Sequence, residues 1–295
     1  MLRFSLPFLM FFPAALRAET PNVVADIAPV HSLVAQVMGD LGDPALLLRA
    51  GASPHDYALR PSDARALNDA GVVIWVGEGL TPWLLDPIEN FADDVSVLTL
   101  LDTDGWEAVG TEEGHDDNLE DVHSDTETHA WLDPEVAQAW LTQIADTLAT
   151  ADPENAAAYA ANAAAARARL ASLVADIDAR VTPLRGTPYL VSHDAYGYFA
   201  RRFDLPSSGA IALSDAQTPS ATRIASLQTT LQVEAITCIL IDPQVDPRWA
   251  ALVGEGADVR LVPVDVLGGD IAPGPDHYAT MLTRLADQFE TCLAP

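Results

Sequence analysis

The chain has 295 residues, enough for two domains of ordinary size, and its 43 acidic against 15 basic residues give a formal net charge of -28. Such a field repels nucleic acid and anionic membrane surfaces and attracts cations. Solubility or adaptation to a salty medium is the competing explanation of the charge. All the basic residues are arginine, for which the sequence offers no functional reason.

Met1-Leu2-Arg3 leads into an apolar run, Phe4 to Leu16, broken by Pro7 and Pro13. A membrane-spanning helix needs about 20 apolar residues, so this shorter run predicts a secretory signal over residues 1–18, cleaved near Ala18. No cysteine adjoins the cut, and no later stretch is long and apolar enough to span a bilayer. The expected product is a periplasmic protein that is not embedded in a membrane.

After the leader, Val23–Ile27 reads as a strand, and Pro29 opens a helix through Met38. The apolar run Ala45–Arg49 leads into a loop bearing His55. A helix from Pro61 to Gly71, a buried strand Val72–Val76 and a further strand Val95–Leu101 follow. Alternation of this kind marks a parallel α/β architecture. Residues 102–128 break it with eleven acidic residues and no basic one, which predicts a solvated loop; the loop carries His115 and His123. Asp133-Pro134-Glu135 reads as an N-cap, a first-turn proline and a first-turn acid, opening a helix to about Thr150. The alanine-rich stretch from Pro153 to about Arg180 predicts one long helix, a strut between two lobes. Beyond Pro183 the alternation resumes with strands at Tyr189–Ser192, Ala210–Leu213, Thr237–Ile241 and Val259–Val264. Helices at Tyr196–Phe203, Ser220–Leu231 and Asp276–Leu293 accompany them. The domain reading is therefore a leader (1–18), an N-terminal lobe (19–150), a linker helix (151–182) and a C-terminal lobe (183–295).

Three histidines stand where open α/β sheets present ligand-binding residues, in loops or after strands. They are His55 in Ser53-Pro54-His55-Asp56-Tyr57, His129 in His129-Ala130-Trp131-Leu132-Asp133-Pro134, and His193 in Val191-Ser192-His193-Asp194. Three imidazoles meeting in a cleft form a nitrogen cage that suits zinc better than magnesium or calcium. His31, at the start of the first helix, is expected to be structural or to support the site, and His277 to lie at the surface. Cys238 and Cys292, both in the exported portion, are expected to form a disulfide; two unrelated thiols are the alternative.

The segment Gly51-Ala52-Ser53-Pro54-His55-Asp56-Tyr57-Ala58-Leu59-Arg60-Pro61-Ser62-Asp63 closely resembles the first metal-ligand loop of the zinc-uptake substrate-binding proteins of ABC transporters, within their metal-specific cluster. His129 with Ala130-Trp131-Leu132-Asp133-Pro134, and Ser192-His193-Asp194-Ala195-Tyr196, look like the second and third ligand segments. The resemblance spans the mature chain, including the acidic His-bearing insertion and the late cysteine pair. It implies two similar Rossmann-like α/β lobes with parallel sheets, joined by one long helix, with the metal in the cleft between them. His55 and His129 then belong to the N-terminal lobe and His193 to the C-terminal lobe. Manganese-binding relatives typically carry a carboxylate at the third position, so His193 favours zinc. Pro54 stands where some zinc-binding relatives carry a glutamate ligand. Asp265 falls near where other members place an aspartate ligand, and water is its competitor for the fourth position.

The implied function is capture of Zn2+ as cargo for an inner-membrane ABC permease with its cytoplasmic ATPase, by a monomeric protein. His115 and His123 would add only weak accessory cation binding. A zinc hydrolase would also use three histidines and a water, but no His-Glu-x-x-His pattern or nucleophile elbow occurs. A binding protein for another metal such as manganese, or a metal-dependent adhesin, is the remaining alternative.

Overall fold

The computed structural model describes residues 20–91, 95–110, 127–212 and 217–294. The expected leader, His115 and His123 lie outside them. The N-terminal lobe is a parallel sheet of β1 (Val23–Ala25), β2 (Ala45–Leu46), β3 (Val72–Trp75) and β4 (Ser96–Thr99), in the order β2-β1-β3-β4. Helices α1 (Ala28–Met38), α2 (Pro61–Asn68) and α3 (Leu85–Phe91) connect its strands. Two long helices follow, α4 (Pro134–Ala151) and α5 (Ala156–Val181). The C-terminal lobe repeats the plan with β5 (Leu190–His193), α6 (Gly197–Phe203), β6 (Ala210–Ala212), α7 (Ala221–Val233), β7 (Cys238–Ile241), α8 (Arg248–Val253), β8 (Arg260–Pro263) and α9 (His277–Leu293). Its strand order is β6-β5-β7-β8, so both sheets are doubly wound with a switch point beside their first strand. The short helices α3 and α8 go beyond the sequence expectation. They run only 7 and 6 residues, too few for an apolar period to stand out.

Strand side chains alternate between faces, and burial follows that period. Val24 and Val73 face an outer cluster with Leu67 and Leu84. Leu190 and Ile239 face its counterpart under α7 and α8, with Ile224, Leu227 and Val253. The opposite faces, Val23, Ala25, Val72 and Ile74 in one sheet and Val191, Cys238 and Leu240 in the other, share a single continuous core with α1, α4, α5 and α9.

The alanine-rich helix is the middle of that shared layer rather than a bare strut. Its 26 residues span about 39 Å. Tyr159, Ala163, Ala166, Leu170, Ile177 and Val181 form one buried stripe, with spacings of three, four and seven. Alanine at the middle of the stripe allows close approach to neighbouring helices, which is why the segment lacks bulky apolar residues. One close approach is at Gly39, which ends α1 with φ 55°; a Cβ there would lie 2.7 Å from the Asn162 amide. That amide donates to the carbonyl of Val37 at 3.0 Å. At α4, Asp133 accepts from the Glu135 amide at 2.8 Å with Pro134 in the first turn, as the cap motif predicts. Cys238 on β7 and Cys292 near the end of α9 are disulfide-bonded, with Cα atoms 5.6 Å apart, so the last helix is tied to an interior strand.

Asp26, directly after β1, is fully buried and joins that strand to the end of β3. It accepts from the amides of Ile27 and Val76, both at 2.8 Å, and from the Thr81 hydroxyl. Burial raises its pKa from 3.8 to about 7, against the lowering effect of those donors. The folded state therefore holds this proton more tightly than the unfolded chain does. Its contribution to stability is greatest below the ordinary value and declines as pH rises toward the folded one. Asn at position 26 cannot ionise, so parent stability relative to Asp26→Asn is expected to fall between about pH 4 and about pH 7. Urea midpoints of both proteins at the two pH values check this, and parallel behaviour would reject the assigned cause.

Candidate metal centre

His55 sits in the loop after β2, which is held from below. Ser53 Oγ accepts from the His55 amide at 3.1 Å, and the Trp83 indole donates to the Pro54 carbonyl at 2.7 Å. The Tyr57 ring packs 5.0 Å from Trp83, and its hydroxyl donates to Asp63 in the first turn of α2. Trp83 is therefore more than a core residue; it fixes the turn that presents His55.

His129 is held through Glu127. One oxygen, Oε1, accepts from the His129 amide at 2.7 Å and pairs with ring Nδ1 at 2.5 Å. Glu127 is buried, and burial pushes its pKa up to about 8, opposed by the His129 amide, His193 and the Thr128 amide. A divalent cation nearby would favour the ionised form. Asp102, Asp104 and Glu107 are exposed, as the expectation of a solvated loop over 102–128 has them, but Glu127 is not. Glu127 is interior, its amide donates to the Val109 carbonyl at 2.9 Å, and Trp106 packs on the core. The acidic composition that marked the whole segment as solvated concealed this residue.

His193 is the last residue of β5, where an open sheet presents ligands beside its switch point. It is buried, and Asp242, at the end of β7 and also buried, lies 3.9 Å from its Nδ1.

The three rings converge, with centroids 5.5 Å apart for His55 and His129, 6.0 Å for His55 and His193, and 4.9 Å for His129 and His193. One nitrogen from each lies within 4.8 Å of the other two, and among the described residues this is the one His, Cys, Asp and Glu cluster of metal-holding geometry. Zinc at about 2.0–2.1 Å from each nitrogen would draw them to about 3.3 Å apart, a movement within side-chain reach.

The remaining sequence candidates lie elsewhere. Asp265 stays outside the cluster: Oδ1 accepts from the amides of Leu267 and Gly268, both at 2.9 Å, and Oδ2 from Gly269 at 2.7 Å. His31 bonds the Pro44 carbonyl at 2.9 Å and is structural; burial lowers its pKa. His277, expected at the surface, is 1 % exposed and bonds the Leu267 carbonyl at 2.8 Å. The cause is that α9 packs inward as part of the shared core. Trp131 lies 5.1 Å from the His129 ring and walls the cleft.

The segments bearing these histidines are stitched across the lobes. The Trp131 indole donates to the Val266 carbonyl at 2.8 Å, and the Tyr278 hydroxyl donates to the Trp131 carbonyl at 2.6 Å. Arg202 of α6 grips Asp133 with Nε at 2.8 Å and Nη2 at 2.9 Å, which raises its pKa. This fork joins the His129 segment to the helix that follows His193.

A profile of the family described as zinc-uptake complex component A, periplasmic, matches residues 23–292. The chain is 40% identical over 303 residues to the high-affinity zinc uptake system protein ZnuA of Paracoccus denitrificans (strain Pd 1222), covering 94% of this chain and 93% of that one. It is 33% identical over 288 residues to the protein of the same name from Yersinia pestis, covering 92% and 91%. Among solved structures, a ZnuA crystal structure superposes with a TM-score of 0.80 at 22% identity, over 92% of this chain and 99% of that one. The laminin-binding protein of Streptococcus agalactiae superposes with a TM-score of 0.74 at 20% identity, over 91% and 99%. These two structures share the fold.

Asp133 is completely buried, so removing its partner strands a charge. Arg202→Ala is expected to lower stability by about 3 kcal/mol, and lysine, lacking the planar fork, to restore only part of it. Arg201→Ala, whose guanidinium bonds the Glu107 and Ala108 carbonyls and stands 3.9 Å from Asp133, beyond hydrogen-bond reach, is expected to cost far less. Equal losses in urea unfolding for Arg201→Ala and Arg202→Ala would contradict the fork.

Proposed function

This chain belongs to the family of periplasmic zinc-uptake components A, and on that premise we propose that it captures Zn2+ in the periplasm and delivers it to an inner-membrane ABC permease driven by a cytoplasmic ATPase. The observation that carries this reading is the convergence of His55, His129 and His193 within 4.8 Å. An all-imidazole set suits zinc, whereas manganese prefers oxygen donors. Two donors come from the N-terminal lobe and one from the C-terminal lobe. Binding therefore draws the lobes together, and release follows when they part.

The carrier reading is favoured over a hydrolase by how the neighbouring carboxylates are used. Glu127 holds His129, and Asp265 collects backbone amides, so neither stands ready as a general base. For the same reason we assign the fourth position to water rather than to Asp265. Bringing that carboxylate to the metal would release three N–H donors from a tight turn.

His193→Ala is expected to weaken zinc binding by roughly 100-fold or more, because the site loses one of three protein donors. Affinity of the parent should fall as pH drops through the ordinary histidine range, since only the neutral ring coordinates. Competition with a chromophoric chelator reads both, and parent-like binding by the variant would remove His193 from the site. Asp265→Ala is expected to lose about 1–3 kcal/mol of stability while zinc affinity stays within about threefold. A large loss of affinity with an intact fold would make Asp265 the fourth ligand.

A further inference from the structure

Glu127 places a carboxylate inside the protein two residues before His129, where its shared oxygen fixes both the main chain and the ring. The other oxygen, Oε2, is buried and has no hydrogen-bond partner. It lies against the start of α6, where a Cβ on Gly197 would sit 3.6 Å away. Burying a carboxylate is costly unless its charge and lone pairs are answered, and the nearby amides with the His129 ring answer only part of that cost. A cation on the far side of the His129 ring supplies the missing positive charge. Metal-bound imidazoles commonly donate their other N–H to a carboxylate, which sets the tautomer and makes the donor nitrogen more basic.

We propose that Glu127 is the positioning residue of the metal centre: it holds the Nδ1–H of His129 and turns Nε2 toward the zinc. The inference rests on His129 being a ligand. Wherever the proton sits before binding, zinc on Nε2 leaves it on Nδ1, and Oε1 stands 2.5 Å away to accept it. Asp242 does not serve His193 in the same way, because 3.9 Å is beyond hydrogen-bond reach. Of the two ligand histidines with a buried carboxylate beside them, His129 alone is clamped.

The test compares Glu127→Ala, Glu127→Gln and His129→Ala with the parent, using zinc affinity by chelator competition, thermal stability, and proton–nitrogen NMR of the zinc-loaded proteins. Glu127→Ala is expected to bind zinc about 10–100-fold more weakly. Glu127→Gln, whose amide oxygen still accepts from Nδ1–H, should lose less. The loaded parent should show His129 protonated at Nδ1 and metallated at Nε2. If Glu127→Ala lowers only thermal stability and binds zinc within about twofold of the parent, while His129→Ala binds poorly, the residue is structural and the positioning role is overturned. If His129→Ala binds like the parent, the ligand assignment itself fails. Should Glu127→Ala not fold, Glu127→Gln and the NMR signature still decide: zinc on Nδ1 of His129 in the parent would overturn the inference.

Discussion

Tyr159, Ala163, Ala166, Leu170, Ile177 and Val181 give α5 its buried stripe, and the inner faces of both sheets close on the helical layer that holds it. The separation of the two sheets, and so of the residues at their carboxyl ends, is set by how closely these helices pack. Small side chains in the middle of the stripe make that separation short. Without the shared layer, the Trp131, Tyr278 and Arg202 contacts that cross the cleft would have no common frame. The imidazoles meet because the layer beneath them is continuous.

Carboxylates inside this frame are met by hydrogen-bond donors in different ways. Asp26 joins β1 to β3, Asp133 caps α4 while holding Arg202, and Asp265 closes the turn after β8. Glu127, beside His129, and Asp242, beside His193, each keep one buried oxygen without a hydrogen bond. A group left short of compensation in an otherwise well-satisfied interior is where added positive charge is most welcome. The large negative charge of the whole chain acts in the same direction at longer range.

Much of this was legible in the sequence because it was local. The strand and helix alternation follows hydrophobic period, the cap at Asp133 follows residue chemistry, and the three histidine segments carry their own signatures. The unread parts depend on distance in space. Glu127 sits in an acidic stretch whose average polarity points outward, and only the pairing of its amide with Val109 turns it in. His277 opens a helix that looks amphipathic and peripheral until α9 is seen packed into the common core. Asp265 lies in a segment where relatives carry a ligand, yet the amides after it hold it in its own turn. Trp83 looks like an ordinary apolar anchor until its indole is found under the Pro54 carbonyl.

The repeated strand order makes the two lobes comparable residue by residue. Ala25 is flanked by Leu46 and Ile74, as Val191 is by Ala210 and Leu240, and both face the shared core. One residue on, Asp26 and Ser192 occupy the same place at the switch point: Asp26 accepts from the Val76 amide and Ser192 from the Asp242 amide, both at 2.8 Å. Both lobes use that place to fasten their own sheet, and only in the C-terminal lobe does a histidine, His193, follow it. The duplicated framework is thus one-sided in what it presents: His193 is the last residue of a sheet strand, whereas His55 and His129 hang from connecting segments. On the proposed reading this is an anvil and two fingers: a cation would meet one donor set in a sheet strand and two carried on connecting segments, so the adjustment needed to fit it would be taken up from a single side.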